Sequence, residues 1–182
     1  SVTTIYQAVT LATGDSITNG TLVIGDGASN SGSLSTGAGL GADIIKTVNS
    51  NGKLTFTGGN SVLDGDDTWA GEIVLNGSNA KLEVNNLSVV TDGTVKYNQT
   101  NGTLTLDHGS SLTLSDSGSK LSNSAKVVLG EDTGNTAGTL VLNNSTSNSA
   151  KVTTSGTSTS NALTVKGSTG SNVTKLTLSE GS

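Results

Sequence analysis

The densest group of potentially reactive side chains is acidic and comprises Asp64, Asp66, Asp67 and Glu72. Calcium binds six to eight hard oxygen ligands, which carboxylates supply. The spacing differs from that of an EF-hand loop, and the upstream glycine pair lacks the Gly-x-Asp of calcium-binding nonapeptide repeats. We therefore prefer a solvated acidic turn as the interpretation, with calcium ligation by these four residues as the alternative.

The same carboxylates could serve as the acid and base of a polysaccharide-active enzyme. Sugar sites usually need aromatic platforms, and the chain has only one Trp, one Phe and two Tyr. Trp69, beside the acidic residues, either stacks on a sugar or covers a corner of the core. We assign no catalytic residue and no cofactor, and expect a protein that is not an enzyme.

His108 is the only histidine and follows Asp107 in an Asp-His-Gly turn. A Ser-His-Asp triad requires a base that a third group orients across the fold, which a sequential neighbour does not do. We therefore expect a turn histidine exposed to solvent.

Threonines at outward strand positions raise a different possibility, ice binding by a flat threonine face. Thr105 and Thr113 are the candidate binding residues of this kind. Valine, glutamate and lysine interrupt the ladder at equivalent positions, and threonine is in any case a common strand residue. Ice binding is therefore kept as an alternative function. The outward threonines are Thr55, Thr105, Thr113, Thr164 and Thr177.

The elements that would position these side chains are short strands. Apolar residues alternate with polar ones, as at Leu54/Phe56, Leu104/Leu106 and Leu140/Leu142, and Gly, Asn, Asp and Ser separate the runs. Alternation at period two predicts half-buried strands. No window keeps a helical period, so the fold class is all-β.

A repeat arranges these strands. The pentapeptide Asn-Ser-Ala-Lys-Val begins at Asn123 and again at Asn148, and Asn-Gly pairs begin at Asn51, Asn76 and Asn101. A fixed period of this size indicates stacked repeats. We predict a single parallel β-solenoid (β-helix) domain over residues 1–182, with about seven coils of about 25 residues. The alternative is an antiparallel β-sandwich, since Asn-Gly also favours hairpins.

Three segments depart from the regular pattern. Residues 1–20 could form an end coil or cap, and residues 25–41, rich in Gly and Ser, are expected to be a loop insertion. The strand Thr174–Leu178 is expected to leave an unpaired edge that pairs with another molecule or with further chain.

Composition excludes several partners. The net charge is −5 and there is no arginine, the residue best suited to phosphate and guanine recognition, so nucleic acid is not expected. No apolar run approaches the length of a membrane helix, so no direct membrane insertion of this segment is expected. The absence of cysteine excludes disulfides.

The segments Gly102-Thr-Leu-Thr-Leu-Asp107, Ser111-Leu-Thr-Leu-Ser115 and Gly138-Thr-Leu-Val-Leu-Asn-Asn144 resemble the passenger domains of bacterial autotransporter adhesins. The resemblance implies a right-handed parallel β-helix that is displayed on a Gram-negative surface or secreted. It also implies an adhesive role, through self-association or through binding a glycan or protein on a host or neighbouring cell. No functional residue of that family matches a position in this chain.

Overall fold

The computed structural model describes residues 1–130, 138–142, 148–154, 162–165 and 175–177. Every strand pairing in this part of the chain is parallel, and no helix occurs in it. The strands stack as a β-solenoid of about six turns with coils of about 23 residues. The prediction of an all-β parallel solenoid is confirmed, and the sandwich alternative is wrong, because successive segments pair one full coil apart.

Within the described ranges, twenty strands of two to six residues form the solenoid. In chain order they are β1 (Val2–Ile5), β2 (Ala8–Leu11), β3 (Gly20–Ile24), β4 (Gly32–Thr36), β5 (Ile44–Val48), β6 (Gly52–Phe56), β7 (Asn60–Leu63), β8 (Thr68–Trp69), β9 (Glu72–Leu75), β10 (Lys81–Asn85), β11 (Ser88–Val90), β12 (Lys96–Gln99), β13 (Thr103–Asp107), β14 (Ser111–Leu114), β15 (Lys120–Leu121), β16 (Lys126–Leu129), β17 (Thr139–Leu142), β18 (Ser149–Thr154), β19 (Ala162–Val165) and β20 (Lys175–Thr177).

These described strands form four parallel sheets. The first has the order β1-β3-β5-β8 and the second β15-β12-β9-β6-β4-β2. The third has the order β20-β18-β16-β13-β10-β7 and the fourth β11-β14-β17-β19. From β5 to β16 a strand of the first or fourth sheet is followed by one of the second and then one of the third. In this middle part, each turn of the solenoid therefore adds one strand to each of three sides.

The core is a stack of thin aliphatic layers, as the alternation predicts. Leu54, Phe56, Leu104 and Leu106 are fully buried, while their outward neighbours are partly exposed. A rung alone buries little, and stacking on its neighbours completes the core. Lys126 pairs with Lys151, so the two copies of the pentapeptide lie one rung apart, as predicted.

The coil length is less regular than the predicted 25 residues. Gly52 is the first residue of β6 in the second sheet, whereas Gly102 precedes β13 in the third sheet, so the spacing of the Asn-Gly pairs is only partly a coil period. In the second sheet Lys53 pairs with Glu72, a separation of 19 residues. Ala8 and Ser33, by contrast, pair 25 residues apart, so the period estimated from the sequence fits some of the early coils and is too long for others.

The segment 25–41 is not the loop insertion that we expected. It contains β4, which pairs with β2 and β6 in register and buries Leu34. The Gly- and Ser-rich composition indicated a loop, but Leu34 lies at the centre of a strand whose neighbouring residues are small. A Cβ at Gly32 or at its partner Gly52 would overlap the carbonyl oxygen of the preceding coil, Ile5 O or Ile24 O respectively. Small residues here permit close stacking of coils.

Both predicted irregular ends have a place in the sheets. β1 and β2, from residues 1–20, are edge strands of the first and second sheets. β20 is an edge strand of the third sheet as far as the described residues extend, and the remainder of the predicted strand 174–178 lies outside them.

Candidate functional site

The acidic turn after β7 is organised by a buried ion pair. The Lys46 Nζ lies 3.3 Å from Asp67 Oδ2, and both side chains are at most 1% exposed. Asp67 also accepts hydrogen bonds from the backbone N–H groups of Lys46 (2.6 Å) and Asp64 (2.9 Å). Burial raises the pKa of the Asp67 carboxyl, because desolvation outweighs these hydrogen bonds and the Lys46 charge. Asp67 is therefore a structural residue of the core.

The other three acidic candidates do not converge with it. Asp64 Oδ1 accepts the backbone N–H of Asp66 within the turn, at 3.1 Å. Glu72 begins β9 on the second sheet, where it lies 3.5 Å from the Lys53 Nζ. The four residues of the calcium alternative are thus not gathered around one point, because β8 of the first sheet lies between the turn and Glu72 on the second sheet. The preferred solvated turn is also wrong for Asp67, whose side chain is buried. The polysaccharide-active enzyme stays an alternative prediction.

Trp69 lies in the core. Its side chain packs edge-to-face on Tyr97, with ring centroids 5.5 Å apart, and its Nε1–H donates to the Lys96 carbonyl at 3.3 Å. Only 8% of the residue is exposed. The sequence left two interpretations open, and the structure shows that Trp69 covers a corner of the core. Its indole ring therefore offers no face on which a sugar could stack.

The candidate threonines lie on different sides of the solenoid. Thr105 is on the third sheet between Glu83 and Val128, and Thr113 is on the fourth between Val90 and Val141. They therefore form no common ladder. The sequence pattern shows which residues point outward, but it does not show which sheet they occupy. The first sheet carries its own outward column, Thr4, Val23, Thr47 and Thr68. Ice binding stays a prediction.

The residues around His108 form a polar cluster that the sequence did not indicate. In the part of the chain that the structure describes, Glu83, Asp107 and His108 are the group of His, Asp and Glu side chains close enough to hold a metal ion. Asn85 joins them, because its Oδ1 lies 3.0 Å from His108 Nδ1 and its Nδ2–H donates to Glu83 Oε1 at 2.9 Å. The histidine is thus half-buried and engaged, rather than exposed as expected.

A column of lysines runs along the same sheet. The in-register pairings place Lys81, Thr103, Lys126 and Lys151 on four successive rungs. All three lysines are exposed, and their inward neighbours are core residues. Within the described residues, none of these ammonium groups forms a salt bridge. With a rung spacing of about 4.8 Å, three positive charges lie within about 15 Å along one line.

A groove follows the first part of this column. It has a volume of about 450 Å³ and is lined by Asn60, Ser78, Asn79, Ala80, Lys81, Thr103 and Lys126. The lining offers amide, hydroxyl and ammonium groups. The arrangement can therefore both hydrogen-bond and neutralise an extended anionic chain. A signal was present in the sequence, since Lys126 and Lys151 occupy the same place in the repeated pentapeptide.

The first coil presents an apolar surface at its end. A cavity of about 400 Å³ is lined mainly by Ile5, Val9, Leu11, Ile17 and Leu22, and it is flanked by the edge strands β1 and β2. Unpaired edges beside exposed apolar side chains are a template for strand addition. This end could therefore take a further extended segment.

Comparison with known proteins finds no match among protein-family models, curated proteins or solved structures. Among the described residues, no helix is long and apolar enough to span a membrane.

Proposed function

We propose that this protein is an extracellular attachment module, a stiff non-enzymatic rod that binds an extended acidic polysaccharide along its third sheet. The observation that carries the proposal is the column of Lys81, Lys126 and Lys151 beside a polar groove. Display on a bacterial surface, or secretion, is part of the proposal and is supported only by the resemblance to autotransporter passengers.

The chemistry of the column favours a linear polyanion over other partners. Exposed ammonium groups attract anions without fixing a bidentate geometry, which suits scattered carboxylates or sulfates on a sugar chain. Nucleic acid is disfavoured because no arginine is present to bind phosphate bidentately. A flexible polymer need only lie along one face, so it meets the local positive charge and avoids the acidic remainder.

Rigidity supports the same function. In the described part of the chain, parallel ladders join neighbouring rungs, so the backbone positions of the lysines keep a fixed spacing and no backbone has to be ordered on binding. Contacts repeated along a rod also add up along a polymer, which gives avidity from individually weak interactions.

Affinity measurements with heparin and with polygalacturonate, a sulfated and a carboxylated probe, test the proposal. The variant K81Q/K126Q/K151Q should lose at least about tenfold in affinity for one or both probes at low salt, and its dependence on salt should flatten. The matched control K53Q/K96Q/K120Q removes three lysines of the second sheet and therefore the same net charge. It should retain most of the binding. Equal losses in both variants, or no binding by the native protein, would reject the polysaccharide proposal.

Self-association through the solenoid ends is a second way in which the rod could adhere. It is supported by the apolar end of the first coil and by the edge strands β1, β2 and β20. It stays a prediction.

A further inference from the structure

The cluster at the end of β10 and β13 has a geometry that is independent of the proposed polysaccharide binding. Glu83 and Asn85 lie two residues apart on β10, and Asn85 pairs with Asp107 at the end of β13. His108 follows in the corner after β13. Two successive rungs thus supply four side chains with oxygen or nitrogen donors to one point on the edge of the third sheet.

The separations fit a shared cation. One ligand atom each of Glu83, Asp107 and His108 lies within 4.8 Å of the others. His108 Nδ1 is 3.8 Å from Asp107 Oδ2 and 3.0 Å from Asn85 Oδ1. Around an ion with bonds of about 2.1 Å, ligands are about 3.4 Å apart in tetrahedral geometry, and about 3.0 Å (adjacent) or about 4.2 Å (opposite) in octahedral geometry. Small side-chain rotations therefore suffice to bring four ligand atoms to such separations.

We propose that Glu83, Asn85, Asp107 and His108 bind a divalent transition-metal ion of the Zn²⁺ or Mn²⁺ class. Two carboxylates neutralise its charge, the amide supplies a neutral oxygen, and the imidazole favours such ions over Ca²⁺ or Mg²⁺. In the bound state the ion lies between Nδ1 and the Asn85 oxygen, and the ring carries its proton on Nε2. The ion then joins two consecutive coils.

The mixed ligand set distinguishes this cluster from the acidic turn at residues 64–67. There Asp67 is committed to Lys46, and no histidine is near in the sequence. The two places therefore serve as site and control within one chain.

His108 provides a specific probe, because it is the only histidine and so gives a single set of imidazole signals in NMR spectra. Substoichiometric Mn²⁺ should broaden these signals, and Zn²⁺ should shift them and bind with a stoichiometry of one by calorimetry. E83Q and H108N should each lower Zn²⁺ affinity at least about tenfold. H108N is chosen because Asn tolerates the left-handed backbone of this position (φ 49°), as Asn86 does (φ 53°).

D66N is the matched control, since it removes one acidic charge from the turn and should leave both Zn²⁺ affinity and the imidazole response unchanged. Circular dichroism of the metal-free variants verifies that they are folded. The proposal is overturned if metal leaves the imidazole signals unaltered, if D66N weakens binding as much as E83Q does, or if Ca²⁺ binds the site as tightly as Zn²⁺.

Discussion

Replacing Lys46 by Met removes the cation that faces Asp67 inside the solenoid and should be one of the most costly single changes in this coil. Both side chains are at most 1% exposed, so solvent does not screen the charge that is left behind. Breaking a buried ion pair by removing one partner typically costs about 3–5 kcal/mol. With a urea m value of about 2 kcal/mol/M, the unfolding midpoint should fall by about 1.5–2.5 M.

Trp69 allows the unfolding of the coil that contains Lys46 and Asp67 to be followed directly. It is the only tryptophan, it is buried in the core, and its residue pairs with Val48 beside the ion pair. Urea unfolding followed by its fluorescence therefore reports on this coil. The control is K53M, which breaks the 3.5 Å pair between Lys53 and Glu72, whose side chains are 47% and 28% exposed. Partly exposed pairs contribute little, so this variant should lose less than about 1 kcal/mol.

The penalty of K46M should depend on pH in a defined direction. Burial raises the pKa of Asp67, so the folded protein binds a proton more tightly at this carboxyl than the unfolded chain does. The free energy of unfolding therefore falls as pH rises from the ordinary carboxyl pKa to the raised pKa. Above the raised pKa, the full cost of burying the ionised Asp67 carboxylate is present. The Lys46 charge lowers the pKa of Asp67, so without it that pKa rises further, and the pH range over which stability falls extends upward. The K46M penalty should be smaller at acidic pH than at neutral pH.

The double variant K46M/D67N completes the test. The amide that D67N introduces removes the buried charge and keeps one acceptor oxygen for the backbone N–H of Lys46 or Asp64, while the other hydrogen bond is lost. Part of the K46M loss should therefore be recovered at neutral pH. If K46M costs no more than K53M, or if the double variant is no more stable than K46M at any pH, then charge burial does not govern this coil and the reasoning fails.

Two further predictions concern the packing of coils. G52A should destabilise the fold by about 1–3 kcal/mol, because its Cβ would overlap the Ile24 carbonyl oxygen, whereas G14A, with open space around it, should stay within about 0.5 kcal/mol in the same urea assay. Y97F should cost about 1–3 kcal/mol, because it leaves Gln99 Oε1 without the hydroxyl that donates to it at 3.0 Å inside the core. Y6F alters an exposed phenol and is expected to be neutral; equal effects of Y97F and Y6F would contradict the role of this hydrogen bond.

The sequence predicted the inward positions and the parallel stacking because both follow from local periodicity. It could not assign strands to sides, because coils of different length shift any fixed period from one side to another, as at Gly52 and Gly102. The burial of Lys46 was also missed, although the sequence indicates it. Ile44, Lys46 and Val48 are alternate residues of one strand, so the lysine points inward with its two apolar neighbours. A charged residue at an inward position predicts a buried partner one coil away. The cluster at His108 depends on the pairing of β10 with β13, which no local pattern contains.

Buried polar side chains explain how a chain that is only 31% hydrophobic keeps its register. Several backbone N–H groups donate to a side-chain oxygen one coil further on: Leu40 to Ser61 at 3.0 Å, Tyr97 to Ser119 at 3.1 Å and Leu121 to Asn148 at 2.8 Å. A buried amide without a partner would cost about 1–3 kcal/mol, so each contact selects the correct rung.

Lys46 and Asp67 are the charged form of the same device, because the Lys46 backbone N–H also donates to the Asp67 side chain. Register is thus fixed from inside the solenoid. The outward positions, including the lysine column and the residues around His108, are then free to carry binding chemistry without altering the stack.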